Sequence, residues 1–299
     1  MSSSSPSVAA SIGTGDAQSA AEAGSSLHGD ATAGFHFLDA ARIDPQRSPV
    51  VLVSCGSYNP VHSSHVDLLK CAWRKIDADG LCIAGCRGAP CQVIGCVMSP
   101  VNDGYKKAGL APFSFRFNVC QAAIAAEPHF TVDPWEGQQP TAVRSYLVFR
   151  HVLEAAKAQL ARDVSPAVAD KLQVCFACGA DLFNTFYIPG TWDLALLQKI
   201  FEEFHIAVAA RVGSASPIET MRTARPLTHA SHPGVTLNMA TFTDRVCVFD
   251  IPANETSSTL VRNRLAAKQS IEHLVASACV PLLESSDSPY VAISVPPAS

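Results

Sequence analysis

The segment Val50-Val51-Leu52-Val53-Ser54-Cys55 is a nearly unbroken apolar run, rich in β-branched residues and stopped by Gly56. A strand wetted on one face would alternate apolar and polar residues, so an unbroken run belongs in a sheet covered on both faces. Runs of the same kind recur at 92–98, 130–132, 172–178, 205–210 and 245–251. Helical patterns lie between them. Val66, Leu69, Ala72, Trp73 and Ile76 share one helical face, Pro112 suits the first turn of a helix to 126, and 141–160 is a long helix. Alternating strands and helices predict an α/β fold with a doubly wound parallel sheet, its loops after the strands converging on one edge. No linker divides residues 45–285, which are expected to form a single domain.

The ends of the chain differ from this pattern. Residues 1–34 are mostly Ser, Ala and Gly with few large apolar groups, the composition of a disordered tail. Residues 286–299 are expected to form a flexible C-terminal tail. A net charge of -4 argues against a nucleic-acid partner, while leaving open a single nucleotide held by local positive groups. No apolar run reaches the roughly 18 residues needed to span a bilayer, so no membrane association is expected. With no secretory or mitochondrial signature, a cytoplasmic protein is expected, the nucleus remaining open. The eleven cysteines then read as free thiols. Cys175 and Cys178 have redox or zinc spacing, but read as a pair of buried thiols at the end of a core strand.

The first strand runs into Gly56-Ser-Tyr-Asn-Pro-Val-His-Ser-Ser-His65, with a helix starting near Ser63. A loop between a strand and a helix N-terminus presents backbone N–H groups and partial positive charge, both suited to phosphate. Gly56 and Ser57 allow close approach of the backbone, and Asn59-Pro60 fixes a turn. His62 and His65 are three apart and can present both imidazoles to a polyphosphate as hydrogen-bond donors. Helix capping or a two-histidine zinc site would use the same spacing, although no third metal ligand is evident nearby.

GSYNPVHSSH resembles the GSFNPxxxxH signature of nicotinamide/nicotinate mononucleotide adenylyltransferases, a form of the HxGH motif of the wider nucleotidyltransferase superfamily, with Ser64 where that superfamily usually has Gly. Four further segments resemble the family's boxes in order. The stretch 98–107, ending in two lysines, resembles SPVxDAYKK and makes Lys107 the phosphate contact, with Tyr105 beside it. Val132-Asp-Pro-Trp-Glu136 resembles VDxWE. The Trp and Thr that the family carries beyond it fall on Ala142 and Ser145, so the ring-stacking Trp is missing and Tyr146 or Trp135 would have to replace it. Cys178-Gly-Ala-Asp-Leu182 resembles CGADLL. Gly179 would admit a ribose or ring, Asp181 would accept hydrogen bonds, and Thr191-Trp192 stands for the family's Leu-Trp, with Trp192 stacking on the pyridine ring. Residues 256–262 resemble ISSTxxR. There Ser257 caps a helix, Ser258 and Thr259 offer hydroxyls, and Arg262 supplies a planar fork for phosphate oxygens. Leu260 takes the place of the family's Lys. Asp250 and Asn254 fall where the family contacts the dinucleotide, and Arg211 is a further candidate on the adenine side.

The resemblance, over about residues 49–285, implies a Rossmann-like sheet of the HxGH nucleotidyltransferase type. It implies transfer of AMP from ATP to nicotinamide mononucleotide, and to the nicotinate form, giving NAD or deamido-NAD and pyrophosphate. His62, His65, Lys107 and Arg262 would carry the chemistry. Gly56, Ser57 and Tyr58 would line the nucleotide loop. Magnesium would come with ATP, held mostly by phosphate oxygens and water, with no protein metal ligand assigned. Many members of the family are oligomers, so a homo-oligomer is compatible with it. The alternatives are another HxGH enzyme of the pantetheine-phosphate adenylyltransferase or cytidylyltransferase type, or a non-catalytic nucleotide-binding or chaperone-like protein on the same fold.

Overall fold

The computed structural model describes residues 34–78, 90–210, 216–229, 232–252 and 255–291. Its strands are β1 (Ser48–Gly56), β2 (Cys91–Pro100), β3 (Phe130–Val132), β4 (Gln173–Gly179), β5 (His205–Ala210), a hairpin of β6 (Leu227–His229) and β7 (His232–Leu237), and β8 (Val246–Asp250). Its helices are α1 (Ser63–Ala78), α2 (Phe113–Ala123), α3 (Trp135–Gln138), α4 (Ser145–Asp163), α5 (Pro166–Ala169), α6 (Ala180–Asn184), α7 (Leu194–Glu203), α8 (Pro217–Thr223), α9 (Ser258–Ala266) and α10 (Val280–Glu284). Six strands form one sheet in the order β3-β2-β1-β4-β5-β8, and every pairing in it is parallel. This is the doubly wound architecture predicted from the alternation of strand and helix patterns. No helix among the described residues is long and apolar enough to cross a membrane.

The unbroken run in β1 is explained by burial on both sides. Val50 and Leu52 join the layer built with α1, α2 and α9, while Val51 and Val53 join the layer built with α4 and α7. Cys175 and Cys178 fall in opposite layers and are both buried, so these free thiols do not share a site. The chain leaves β1 for β2 on one side and returns to β4 on the other, so the strand order reverses between β1 and β4. Loops splay apart at such a reversal and open a crevice at the carboxyl ends of the strands. Gly56 ends β1 and lies three residues past the last β1–β4 pair, Val53 with Phe176, level with Gly179 at the end of β4.

The packed chain extends past both expected boundaries. Leu38 and Ile43 are buried, and the Leu38 N–H donates to the Ile94 carbonyl at 2.8 Å. At the other end the tail expected from 286 is packed at least to Tyr290, with Ser288 and Tyr290 buried. These segments are too short to show periodicity, and a single aromatic anchors the second. Of the tail assigned to residues 1–34, all but Gly34 lies outside the described residues.

One contact is tight enough to test. A Cβ placed on Gly137, in α3, would lie 1.8 Å from Phe113 Cε2, because the Phe113 ring packs on the bare backbone there. Gly137→Ala is therefore expected to destabilise the fold by about 1–3 kcal/mol through overpacking. Thermal unfolding checks this, and an unchanged midpoint would show that α2 moves aside freely.

Candidate active site

The loop after β1 is built around two side chains that point inward. Tyr58 adopts φ 41°, a left-handed conformation uncommon for a bulky residue. Its ring is buried, and its hydroxyl donates to the Ser54 carbonyl at 2.8 Å. Tyr58 thus supports the loop from beneath with its side chain. Asn59, also buried, precedes a cis peptide bond to Pro60. Its amide donates to the Gly109 carbonyl at 2.8 Å, and its Oδ1 accepts from the Ala111 N–H at 3.0 Å. The loop after β1 is in this way bonded to the loop after β2.

The two histidines meet as their spacing predicts. Their ring centroids are 3.8 Å apart, and His65 Nδ1 accepts the backbone N–H of His62 at 3.1 Å. A neutral His65 therefore carries its proton on Nε2. Burial lowers the His62 pKa to about 4. Burial lowers that of His65 well below its ordinary value too, with His62 and Lys107 adding repulsion. Both rings are neutral donors at pH 7.

Basic groups from three separated segments converge here. Lys107 Nζ donates to Ser57 Oγ at 2.8 Å. Its pKa is lowered by burial and by the nearby Arg262 and Arg116 guanidiniums. Arg262, on α9, donates to the Asn59 carbonyl at 2.6 Å and to Thr259 Oγ1 at 3.1 Å. Ser257 caps α9 by accepting the Leu260 N–H at 3.1 Å, and Ser258 Oγ donates to the Pro60 carbonyl at 2.8 Å. Gly56, Ser57, His62, His65, Lys107, Ser257, Ser258, Thr259 and Arg262 are thereby gathered around one loop.

The remaining candidates lie further along the same edge. Gly179 has open space where a Cβ would stand. Asp181 is exposed in α6, and Thr191 and Trp192 are half-buried in the loop before α7. The Trp192 indole N–H donates to Thr185 Oγ1 at 2.9 Å, and the ring meets Phe186 edge-on. Asp250 is exposed at the end of β8, and Ser145 opens α4. Arg211 and Asn254 lie outside the described residues. Of the two aromatics considered in place of the missing ring-stacking Trp, Tyr146 is turned to α7, its hydroxyl donating to Glu203 Oε1 at 2.8 Å. Trp135 stacks on His151 with centroids 4.4 Å apart. Ala142 is exposed just ahead of α4.

Sequence reasoning missed Arg116 and Glu136. Arg116 is fully buried on α2 and donates to the carbonyls of Ala111, Ser57 and Val101 and to Asp103 Oδ1, at 2.7–3.0 Å. A lone Arg among the apolar residues of Phe113-Ser-Phe-Arg-Phe117 is a signal that could have marked it. Glu136 was noted only as part of a box. It is buried and accepts the Ser99 hydroxyl at 2.5 Å.

Burial, with Asp133 adding repulsion, raises the Glu136 pKa from 4.5 to about 7 against the lowering effect of Ser99 and Arg116. A group whose folded pKa is raised stabilises fully below its unfolded pKa and loses that contribution as pH rises through the folded value. Glu136→Gln has no proton to lose. Relative to the variant, the unaltered protein should therefore fall in thermal midpoint between about pH 4.5 and about pH 7. Melting curves of both proteins across that range test this, and a constant difference between them would contradict it.

The model of the Cytidylyltransferase-like family matches residues 53–264. A rice (Oryza sativa subsp. japonica) protein named nicotinamide/nicotinic acid mononucleotide adenylyltransferase is 28% identical over 239 residues, covering 80% of this chain and 85% of that protein. An Arabidopsis thaliana protein of the same name is 32% identical over 164 residues, covering 55% of this chain and 63% of its own length. A solved structure of Plasmodium falciparum nicotinic acid mononucleotide adenylyltransferase complexed with NaAD covers 79% of this chain and 94% of that one, at a TM-score of 0.45 and 12% identity. That likeness is too distant to carry weight.

Proposed function

Because the chain belongs to the Cytidylyltransferase-like family, we propose that it transfers AMP from ATP to nicotinamide mononucleotide, and to nicotinate mononucleotide, ending the synthesis of NAD. The observation that carries this proposal is the gathering of Lys107 on Ser57, Arg262 on Asn59 and the paired histidines around one loop at the reversal of strand order. The relatives' names supply the acceptor.

The 5′-phosphate oxygen of the mononucleotide attacks the α-phosphorus of ATP in line. The bond from that phosphorus to the oxygen bridging to the β-phosphate breaks, and pyrophosphate leaves. The attacking phosphate is already ionised at pH 7, so no general base is needed. Positioning and charge stabilisation carry the rate. His65 donates from Nε2 and His62 beside it, and each gains affinity for a proton as the triphosphate's negative charge approaches. Lys107 and Arg262 hold phosphate oxygens, with Gly56, Ser57 and the hydroxyls of Ser257, Ser258 and Thr259 around them. Gly179 and Asp181 receive the mononucleotide, and Trp192 stacks on its pyridine ring, with Ser145 and Thr191 nearby. Asp250 contacts the dinucleotide, a role that sequence alone extends to Asn254 and, for the adenine, to Arg211.

The side chains grouped at the loop are basic, so they fit a magnesium ion only as part of its complex with the triphosphate. When bound, the ion would neutralise phosphate charge, its ligands being phosphate oxygens and water. The partners are these nucleotides, and nucleic acid is not one of them.

The purified protein, given ATP, magnesium and each mononucleotide, should form NAD or deamido-NAD with pyrophosphate. His65→Ala should lose at least about 100-fold in kcat, the scale of one lost donor to developing charge. Turnover of a different acceptor in place of both mononucleotides would refute the substrate, and full activity in His65→Ala would refute the site.

A further inference from the structure

The segment beyond α9 reaches back to the phosphate-binding loop at two points. The Leu274 carbonyl accepts the N–H of Ser63, the first residue of α1 and the neighbour of His62, at 2.9 Å. The Tyr290 hydroxyl donates to Asn59 Oδ1 at 2.7 Å. Tyr290 is 2% exposed and its ring meets Phe115 edge-on at 5.7 Å, so packing holds the hydroxyl in place. Asn59 is 1% exposed, and its carboxamide and backbone carbonyl are all engaged. Its Oδ1 receives Ala111 and Tyr290, its Nδ2 donates to Gly109, and its backbone carbonyl receives Arg262.

We propose that Tyr290 is a positioning residue for adenylyl transfer, acting through Asn59 to set the loop carbonyl that aims Arg262 at the ATP phosphates. This rests on the function proposed above. Tyr290 touches neither substrate. Its hydroxyl shares Asn59 Oδ1 with the Ala111 N–H, so the residue that anchors Arg262 is held by the C-terminal segment as well as by the loop after β2. Ala111 still satisfies Asn59 Oδ1 when the hydroxyl is gone, so what the loop loses is restraint, with no buried acceptor left unpaired.

Tyr290→Phe removes the hydroxyl and leaves the ring against Phe115. ATP affinity, read by calorimetry with magnesium and as KM, should weaken about five- to ten-fold, the scale of one buried hydrogen bond. The mononucleotide KM should stay within about two-fold, because the effect passes only through Arg262. In an Arg262→Ala background the same substitution should cost no further ATP affinity, since partners acting through one another are non-additive. Phe115→Leu supplies a stability control. It loosens the packing around Tyr290 while keeping the hydroxyl, and at a comparable fall in thermal midpoint it should leave ATP affinity nearly unchanged.

The proposal is overturned by unchanged ATP affinity in Tyr290→Phe, by equal weakening of both substrates, or by an undiminished cost in the Arg262→Ala background. Reproduction of the ATP effect by Phe115→Leu would reduce Tyr290 to a general structural role and also overturn it. A protein that binds ATP yet makes neither NAD nor deamido-NAD refutes the proposed function, while the calorimetric comparison still decides the role of Tyr290.

Discussion

The site depends on a positive charge that water never reaches. Arg116 is fully buried, and a guanidinium there is costly unless its N–H groups find partners. It finds them in the carbonyls of Ala111, Ser57 and Val101 and in Asp103. Ser57 belongs to the loop after β1, Val101 to the loop after β2, and Ala111 to the approach to α2. One side chain thus ties three segments together by charge-assisted hydrogen bonds, which are stronger than neutral ones. Asn59 repeats the link with its carboxamide. Between them the two residues define where Ser57 and the carbonyl that receives Arg262 must stand.

The electrostatics follow from that arrangement. With Arg116 beneath the loop and Arg262 and Lys107 around it, further positive charge is penalised. Burial is the larger cause of the depressed histidine pKa values, and Lys107 is also held below its ordinary value. Cations that repel one another in this way favour an anionic ligand among them. This is a familiar form of the exchange between stability and function.

The fold was largely legible in the sequence because a two-faced parallel sheet writes itself as long apolar runs. The runs of β1, β4 and β5 needed no outside comparison, and the histidine pair followed from a spacing of three at a helix start. The order of the strands depends on contacts between distant segments, and no local pattern encodes it. The inward packing of Tyr58 was not legible because a loop aromatic near a glycine can face either way, and only the backbone conformation decides. Arg116 was missed because a single polar group in an apolar stretch shows that something must be satisfied without naming the partner, and Tyr290 because the polar Ser285-Ser-Asp-Ser-Pro289 before it reads as a tail. The place of the absent ring-stacking Trp illustrates the same limit, since Tyr146 is close in sequence but is drawn away by Glu203.

The Tyr290–Asn59 bond spans 231 positions of sequence. During synthesis every recognisable box, from the first loop to the arginine of α9, emerges before the residue that completes the loop's bonding. A chain interrupted in that interval would carry all the motifs and still lack the last tether on Asn59. In the order of its own synthesis, the nucleotide loop is among the first segments made and among the last to be finished.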